Sequence, residues 1–287
     1  MRIGKMRIAL VPNLTRTEAF DVTAGICERL KKLGAEYCFS LELKNQVEMT
    51  GADFLPADEA ISGCDAVIAV GGDGSIIHAA KLAVMKQKPI LGVNAGRLAF
   101  MAGLEDNELN LLSRLIDGNY TLDKRLLLKS NIIKNGEVIS TDYCVNDCLV
   151  TNEEKQRMTA IDVALDGKNF NSYLCDGIVV STPTGSTAYS LSAGGPIVDP
   201  ELESIMLTPI CPHSLVDRSL MFRPDAVITV SSAEERNLCI SNDGVEPVIV
   251  EPDCHAEISR AEFTANFIRI KSDNFIDILY KKLAQRR

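Results

Sequence analysis

The chain has no Cys-x-x-C pair, no G-x-G-x-x-G run, no lysine-bearing phosphate loop and no apolar run near the ~18 residues of a spanning helix. Each absence excludes something. Zinc sites with the usual spacings are excluded, because the nine cysteines are scattered: Cys144 and Cys148 are the closest pair, and Cys254-His255 is the only Cys–His neighbour. They read instead as free thiols buried as small hydrophobes in a reducing cytosol. The apolar segment after the first Arg and Lys is too short for a signal peptide, which with the missing span predicts a cytoplasmic protein. Met1-Arg2-Ile3 recurs as Met6-Arg7-Ile8, so either methionine suits as a start. Positive charge is also short, with 30 Lys and Arg against 39 Asp and Glu and a net charge of −9. That balance argues against nucleic acid or an acidic membrane as partner and leaves room for a phosphorylated ligand, which needs only local positive potential. Internal repeats and low-complexity linkers are missing too. What remains, 287 residues with 46% hydrophobic and 24% charged, is the composition of a soluble enzyme of one large or two modest domains.

Against this background one stretch stands out: Val67-Ile68-Ala69-Val70-Gly71-Gly72-Asp73-Gly74-Ser75. Four apolar residues read as a short buried strand, and from Ile76 to Val84 the apolar positions recur at helical spacing. A strand, a glycine turn and a helix start form an anion site, with bare N–H groups and the positive end of a helix dipole facing outward. Gly71, Gly72 and Gly74 are the phosphate-loop candidates. In place of a lysine the loop offers Asp73. A carboxylate among phosphates is repelled, so its presence implies a chemical role, either holding Mg²⁺ or taking the proton of an attacking hydroxyl. The plainer alternative is that Asp73 caps the helix.

A second stretch runs from Cys175-Asp176-Gly177 through Thr182-Pro183-Thr184-Gly185-Ser186-Thr187-Ala188-Tyr189-Ser190-Leu191-Ser192 to Gly194-Gly195-Pro196. A strand over 178–181 meets a turn, and a short helix begins near Ser186. Seven hydroxyls between Ser181 and Ser192, not counting Tyr189, exceed the needs of capping and suit a ligand rich in hydroxyls, ring nitrogens and phosphate; the alternative is a capped turn with its extra hydroxyls exposed. Asn146-Asp147 interrupts the strand-like 143–150 segment, and its amide and carboxylate can grip a ribose diol or a carboxamide, though such a pair also marks turns. His213, in Thr208-Pro209-Ile210-Cys211-Pro212-His213, suits a structural loop as well as a phosphate contact.

The patterning predicts two domains. Strands at 6–13, 35–41, 67–70 and 89–93 alternate with helices at 17–33, 57–61, 76–88 and 105–117, which means a parallel α/β sheet over residues 1–121. Ligands of such sheets sit beyond the carboxyl ends of strands, where Gly71–Ser75 and Asn94–Phe100 both fall. Residues 122–265 read as antiparallel β, with hairpins at Asn135-Gly136 and Asp166-Gly167. Further strand pairs are expected at 226–231 with 237–241 and at 247–251 with 255–259. A helix over 274–285 is expected to pack back on the first domain.

Taken in order, these pieces resemble the NAD kinase (ATP-NAD kinase) family across nearly the whole chain. The Gly71-Gly72-Asp73-Gly74 loop alone is shared with phosphofructokinases and with diacylglycerol and sphingosine kinases. Thr182–Ser190 followed by Gly194-Gly195-Pro196 is specific, and Gly92-Val93-Asn94-Ala95-Gly96-Arg97-Leu98, Asn146-Asp147 and Thr208–His213 fall where the family places matching segments. The resemblance implies an α/β N-terminal domain, a β-rich C-terminal domain and an NAD site in the cleft between them. It implies transfer of the ATP γ-phosphoryl group, with Mg²⁺ or another divalent cation, to the adenosine-ribose 2′-hydroxyl, and homodimers or homotetramers. By the same resemblance Asp73 is the general base, and Gly74 and Phe100 touch the dinucleotide. Asn146, Asp147, Asp176, Thr187, Ala188, Tyr189, Ser190, Leu191 and Ser192 match positions that hold adenine, ribose and nicotinamide. Three positions depart from the family pattern: Ala99 where many members have glycine, Leu174 where many carry a basic residue, and Val245 where some have glutamine. ATP and inorganic polyphosphate both remain as donors. A lipid or sugar kinase sharing only the glycine loop and a non-catalytic dinucleotide sensor are the competing readings. The hydroxyl-rich segment and the absence of a basic amphipathic stretch argue against the first, and the intact Asp73 against the second.

Overall fold

The computed structural model describes residues 5–47, 51–96, 99–154, 157–214, 216–272 and 274–284. The chain divides into two compact units, one formed by Met1–Lys124 with Ala265–Arg287 and the other by Arg125–Thr264.

In the first unit, strand β1 (Arg7–Pro12) leads into helix α1 (Thr17–Lys32), which ends at Leu33 before Gly34 takes a φ of +74°. Strands β2 (Glu36–Ser40) and β3 (Asp53–Leu55) follow, then α2 (Ala57–Ser62), β4 (Ala66–Gly71), α3 (Asp73–Met85) and β5 (Ile90–Asn94). All five strands are parallel, in the order β5-β4-β1-β2-β3, and Phe267 of the returning strand Cys254–Arg269 pairs in parallel with Ile90 at the β5 edge. Every residue of β4 is buried, as a strand with both faces covered requires. The core runs through Ile8, Leu10, Ile26, Leu30, Phe39, Ile68 and Leu91 and also takes Ile268 and Ile270. The segment expected as one helix at 105–117 is a 3₁₀ turn (Asp106–Leu111) passing into an α-helix (Leu112–Ile116), opened by a capping box between Glu105 and Glu108. The last helix spans Phe275–Ala284; the expected end at Gln285 lies outside the described residues, as do Met1, Arg97 and Leu98.

The second unit contains antiparallel strands in two groups around a core that includes Leu128, Val150, Ile161, Ile178, Val180, Leu207, Ile228 and Ile258. The hairpins Thr121–Lys134 with Glu137–Cys144 and Thr159–Leu165 with Lys168–Cys175 turn at Asn135-Gly136 and Asp166-Gly167. All four turn residues have positive φ, the geometry of a two-residue hairpin loop. The later strands exist near the expected positions, but their partners differ. Ile228–Ser232 pairs with the long Cys254–Arg269 strand and with Thr159–Leu165, whereas Leu238–Asn242 pairs with Val248–Val250 and with Asp147–Asn152. The cause is a third hairpin signal, Asp243-Gly244, with φ of +54° and +72°, which turns 238–242 onto the strand after it. Ile205–Ile210 and Leu220–Phe222 are two strands the sequence reading does not contain.

Candidate active site

In the first unit the site is the corner where β4 ends and α3 begins. Gly71 has a φ of +152°, and a Cβ there would fall 2.7 Å from both Cβ and Oγ of Ser75, so a side chain cannot make this corner. Gly72 stands at the N-cap position with no side-chain cap, and Asp73 is the first residue of α3. The Gly72 carbonyl accepts the N–H groups of Ser75 at 3.0 Å and Ile76 at 3.1 Å. The N–H groups of Asp73 and Gly74 come before the helix's first bonds and have no carbonyl one turn back. Gly74 itself is exposed.

Asp73 does not cap its helix, which corrects that alternative. Its Oδ1 accepts the Met101 N–H at 2.8 Å, from the loop after β5, and its other oxygen makes no hydrogen bond among the described residues. The Asn94 segment is the brace of this arrangement. Buried Asn94 donates from Nδ2 to Glu105 at 2.7 Å and accepts the Gly96 N–H at 3.1 Å, while the Ala95 N–H reaches the Gly71 carbonyl at 3.3 Å. Phe100, half-buried, lies in the loop just before Met101. On the other flank, Asn13 at the end of β1 donates to Ser75 Oγ at 2.9 Å.

In the second unit, Asp147 opens the strand Asp147–Asn152 and Asn146 sits in the joint before it, so the 143–150 segment is two strands rather than one. The Asp243 carboxylate fixes the joint by accepting three backbone N–H groups, from Val145 at 2.8 Å, Asn146 at 2.7 Å and Asp147 at 3.3 Å. Asp147 is buried, and its carboxyl accepts the Tyr189 N–H. Burial, and after it the Asp243 charge, push its pKa up from 3.8 to about 7; the Tyr189 bond opposes them. The sequence reading does not find Asp243, whose contacts lie 96 to 98 residues away.

The Thr182–Ser192 segment lies against this joint. A Cβ on Gly185 would meet the Asn146 carbonyl oxygen at 2.0 Å, so the glycine is required by close backbone approach. Thr182 donates its N–H to the Asn146 carbonyl at 2.8 Å and its hydroxyl to Val145 at 2.7 Å. The hydroxyl run differs from both expectations. Ser181, Thr182, Thr184, Ser186, Thr187 and Ser190 are all buried, and most are spent inside the protein: Ser186 on Val198, Thr187 on Thr184, Ser190 on Thr208. Arg125, itself buried, donates to Thr184 at 3.2 Å. What faces outward is the short helix Tyr189–Ser192, with Tyr189 and Ser192 exposed and Ala188 and Leu191 half-buried. Asp176 is exposed, between two strands, and its N–H donates to the Ile210 carbonyl. His213 is exposed and held by its N–H on the Leu174 carbonyl.

Among the described residues, one group has the make-up of a metal site, Glu251, Asp253 and Cys254, but Lys134 pairs with Glu251 at 2.6 Å and with Asp253 at 3.0 Å. A lysine ammonium already serves those carboxylates. The cysteines are free, and burial pushes the thiols of Cys27 up to about 12 and of Cys64 and Cys175 to about 11, which leaves them inert.

A parallel α/β unit with a glycine corner at a helix start has the make-up of a phosphate-handling enzyme. The sequence matches the family model of the ATP-NAD kinase N-terminal domain over residues 8–120 and that of the C-terminal domain over residues 145–270. It is 36% identical over 284 residues to the NAD kinase of Caldanaerobacter subterraneus subsp. tengcongensis, covering 98% of this chain and 99% of that one. To the NAD kinase of Coxiella burnetii (strain Dugway 5J108-111) it is 30% identical over 279 residues, covering 96% and 93%. The fold is similar to that of yeast NADH kinase complexed with NADH, at TM-score 0.89, 21% identity and coverage of 99% and 89%. It is also similar to an NAD kinase from Archaeoglobus fulgidus in complex with ATP, at TM-score 0.76, 24% identity and coverage of 97% and 99%. The chain belongs to the NAD kinase family.

Proposed function

We propose that this protein transfers the γ-phosphoryl group of ATP to the adenosine-ribose 2′-hydroxyl of NAD, giving NADP. The observation that carries the reading is Asp73: a carboxylate on a phosphate corner, free of any capping duty and oriented through one oxygen by Met101. In this mechanism its other oxygen accepts the 2′-hydroxyl proton as the hydroxyl attacks. The N–H groups of Asp73 and Gly74 and the dipole of α3 face the donor phosphates, with Gly71 and Gly72 letting the backbone approach them. The donor set fits a divalent cation such as Mg²⁺, which is held by one or two carboxylates together with substrate phosphates. Such an ion would be held mainly by the donor phosphates, which leaves the second Asp73 oxygen to the proton, and it would neutralise charge that no loop lysine covers.

In the second unit, Asn146 and Asp147 bind ribose and amide groups of NAD, with Asp176 and the outward face of Ala188, Tyr189, Leu191 and Ser192 alongside. Thr187 and Ser190 act by holding that helix in place. In the first unit, Gly74 and Phe100 are the residues that the family resemblance assigns to the dinucleotide. Family resemblance supports a homodimer or homotetramer. The buried free thiols support a cytoplasmic location, and among the described residues no helix is long and apolar enough to cross a membrane.

The test is turnover of NAD with ATP and Mg²⁺, with inorganic polyphosphate as the second donor and 2′-deoxy-NAD (adenosine side) as inhibitor. NADP forms, and the deoxy compound competes with NAD with affinity within about tenfold, since a hydrogen bond to a charged group is worth ~1.5–3 kcal/mol at most. If the deoxy compound fails to compete while NAD is phosphorylated, the dinucleotide is oriented wrongly. If phosphate goes to its 3′-hydroxyl, Asp73 does not select the acceptor position.

A further inference from the structure

The stretch that aims Asp73 is itself held from the far end of the chain. Met101, whose N–H bonds the Asp73 carboxylate at 2.8 Å, lies where the chain folds back over β5: a Cβ on Gly92 would meet the Met101 carbonyl oxygen at 2.9 Å. Both feet of this fold are tied. At the leaving foot Asn94 Oδ1 accepts the Gly96 N–H at 3.1 Å. At the returning foot the Leu104 carbonyl accepts the Asn94 N–H, and the Gly92 carbonyl accepts the Gly103 N–H, each at 2.9 Å. Asn94 Nδ2 joins the two feet by donating to Glu105 at 2.7 Å. Beyond Glu105 the bonds continue. Its carboxylate accepts the Glu108 N–H, while Glu108 Oε2 accepts the Glu105 N–H at 2.8 Å and the Lys271 ammonium at 2.7 Å.

Lys271 belongs to the segment that returns to the first unit after Ala265, and its neighbours fix that segment. Phe267 pairs with Ile90, Arg269 meets Asp123 at 2.8 Å, and Arg114 donates to the Ile270 carbonyl at 3.0 Å. The Ile268 carbonyl lies against the returning foot, 3.0 Å from where a Cβ on Gly103 would stand. The Lys271 and Glu108 side chains are only 25% and 29% exposed, so their charges are screened less than those of a pair in open water. The ammonium also answers a conflict of like charges, because Glu105 and Glu108 place two carboxylates on one capping box. Without it the carboxylates repel, and the box that sets Glu105 against Asn94 loosens. Met101 then shifts, and Asp73 with it. A catalytic group displaced by about 1 Å loses much of its effect.

We propose that Lys271 is a positioning residue for phosphoryl transfer, acting through Glu108, Glu105 and Asn94 on the stretch that orients Asp73. The proposal rests on the kinase reading above. Its test compares the full-length protein with Lys271→Met and Lys271→Arg in steady-state turnover of NAD with ATP and Mg²⁺. Lys271→Met should lower kcat by about fivefold or more, with KM for NAD and for ATP within about twofold of wild type. Lys271→Arg keeps the cation and should hold kcat within about twofold. Placed on Asp73→Asn, the same Lys271→Met should change kcat by less than about twofold, because the group it acts through is gone. Hydrogen exchange followed by mass spectrometry should be faster at Met101 in Lys271→Met and unchanged in β4. If Lys271→Met melts below the assay temperature, Glu108→Gln takes its place under the same criteria; it keeps an oxygen for the Glu105 N–H and loses the charge that draws Lys271. Unchanged kcat, unchanged exchange at Met101, a matching rise in KM or a Lys271→Arg as slow as Lys271→Met overturns the inference. An equal loss in the Asp73→Asn background does so too, since it makes Lys271 a prop for the fold as a whole. Wild type that makes no NADP ends the kinase reading and this role with it; active wild type with an indifferent Lys271→Met removes this inference alone.

Discussion

The glycine corner and the Thr182–Ser192 segment both attract notice as sequences, yet they are built in opposite ways. The corner keeps its chemistry outside: Gly74 is exposed, and Asp73 spends one oxygen on Met101. The hydroxyl segment turns its chemistry inward, with five side-chain hydroxyls buried and its glycine pressed against Asn146. A dense motif therefore has two physical causes. One is a ligand that needs open backbone; the other is a tightly folded piece of protein that positions a few outward groups. Mutations separate the two, because the first should lose chemistry without stability and the second stability before chemistry.

The largest effect is expected at the corner. Asp73→Asn keeps an oxygen for the Met101 N–H but removes the base, so NADP formation should fall by roughly 10²–10⁴-fold while the melting temperature stays within a degree or two. Near-normal turnover would make Asp73 a loop brace and erase the contrast. Next comes Gly185→Ala, where the new Cβ meets the Asn146 carbonyl oxygen, in the joint that Asp243 holds. A loss of roughly 2–4 kcal/mol in urea unfolding is expected, and an unchanged midpoint would show that the segment is looser than its packing implies.

Asp147 gives a contrast in pH. Its folded pKa, about 7, stands above its unfolded value near 3.8, so between those values the folded state holds more protons than the unfolded one. Its contribution is therefore most favourable at the acid end of that window and is lost as pH rises through about 7, by on the order of 2–4 kcal/mol. Asp147→Asn should flatten this part of the stability–pH curve, measured by melts from pH 5 to 8. In the binding role given to it, ribose hydroxyls favour the ionised form, so NAD should bind more tightly at pH 8 than at pH 6. An unchanged slope in the Asn variant would mean another group titrates there. The smallest effect is expected for Ser190→Ala, which removes the Thr208 contact at about 1 kcal/mol and should change KM for NAD less than threefold. A larger KM change would return the Ser190 hydroxyl to the ligand.

Local signals are legible where a backbone geometry demands particular residues. Asn135-Gly136 and Asp166-Gly167 name their hairpins because both positions need positive φ, and the strand–glycine–helix unit names the corner. The mispairing expected at 226–259 leaves the same signal at Asp243-Gly244 unused. Pro209 hides the strand Ile205–Ile210, since a proline removes a ladder donor and reads as a break. In the site, residue types are legible and their directions are not. Nothing in the composition of Thr182–Ser192 says whether a hydroxyl points to solvent or to Val198. Asp243 carries no local mark of its role at the joint, because its partners are set by which strands become neighbours.

The first unit is also discontinuous, completed only when Ala265 onward returns to it and Phe267 takes its place against Ile90 of β5. On the ribosome, β5 is finished long before that partner exists. Synthesis of Arg125–Thr264 at ~5–20 residues per second leaves the nascent sheet with an uncovered edge for on the order of ten seconds. During that interval the edge can pair with any extended chain nearby. A ribosome stalled or a message truncated before Ala265 would release a chain whose open edge invites capture by chaperones or by its own copies, so translation speed across the second unit becomes a determinant of yield.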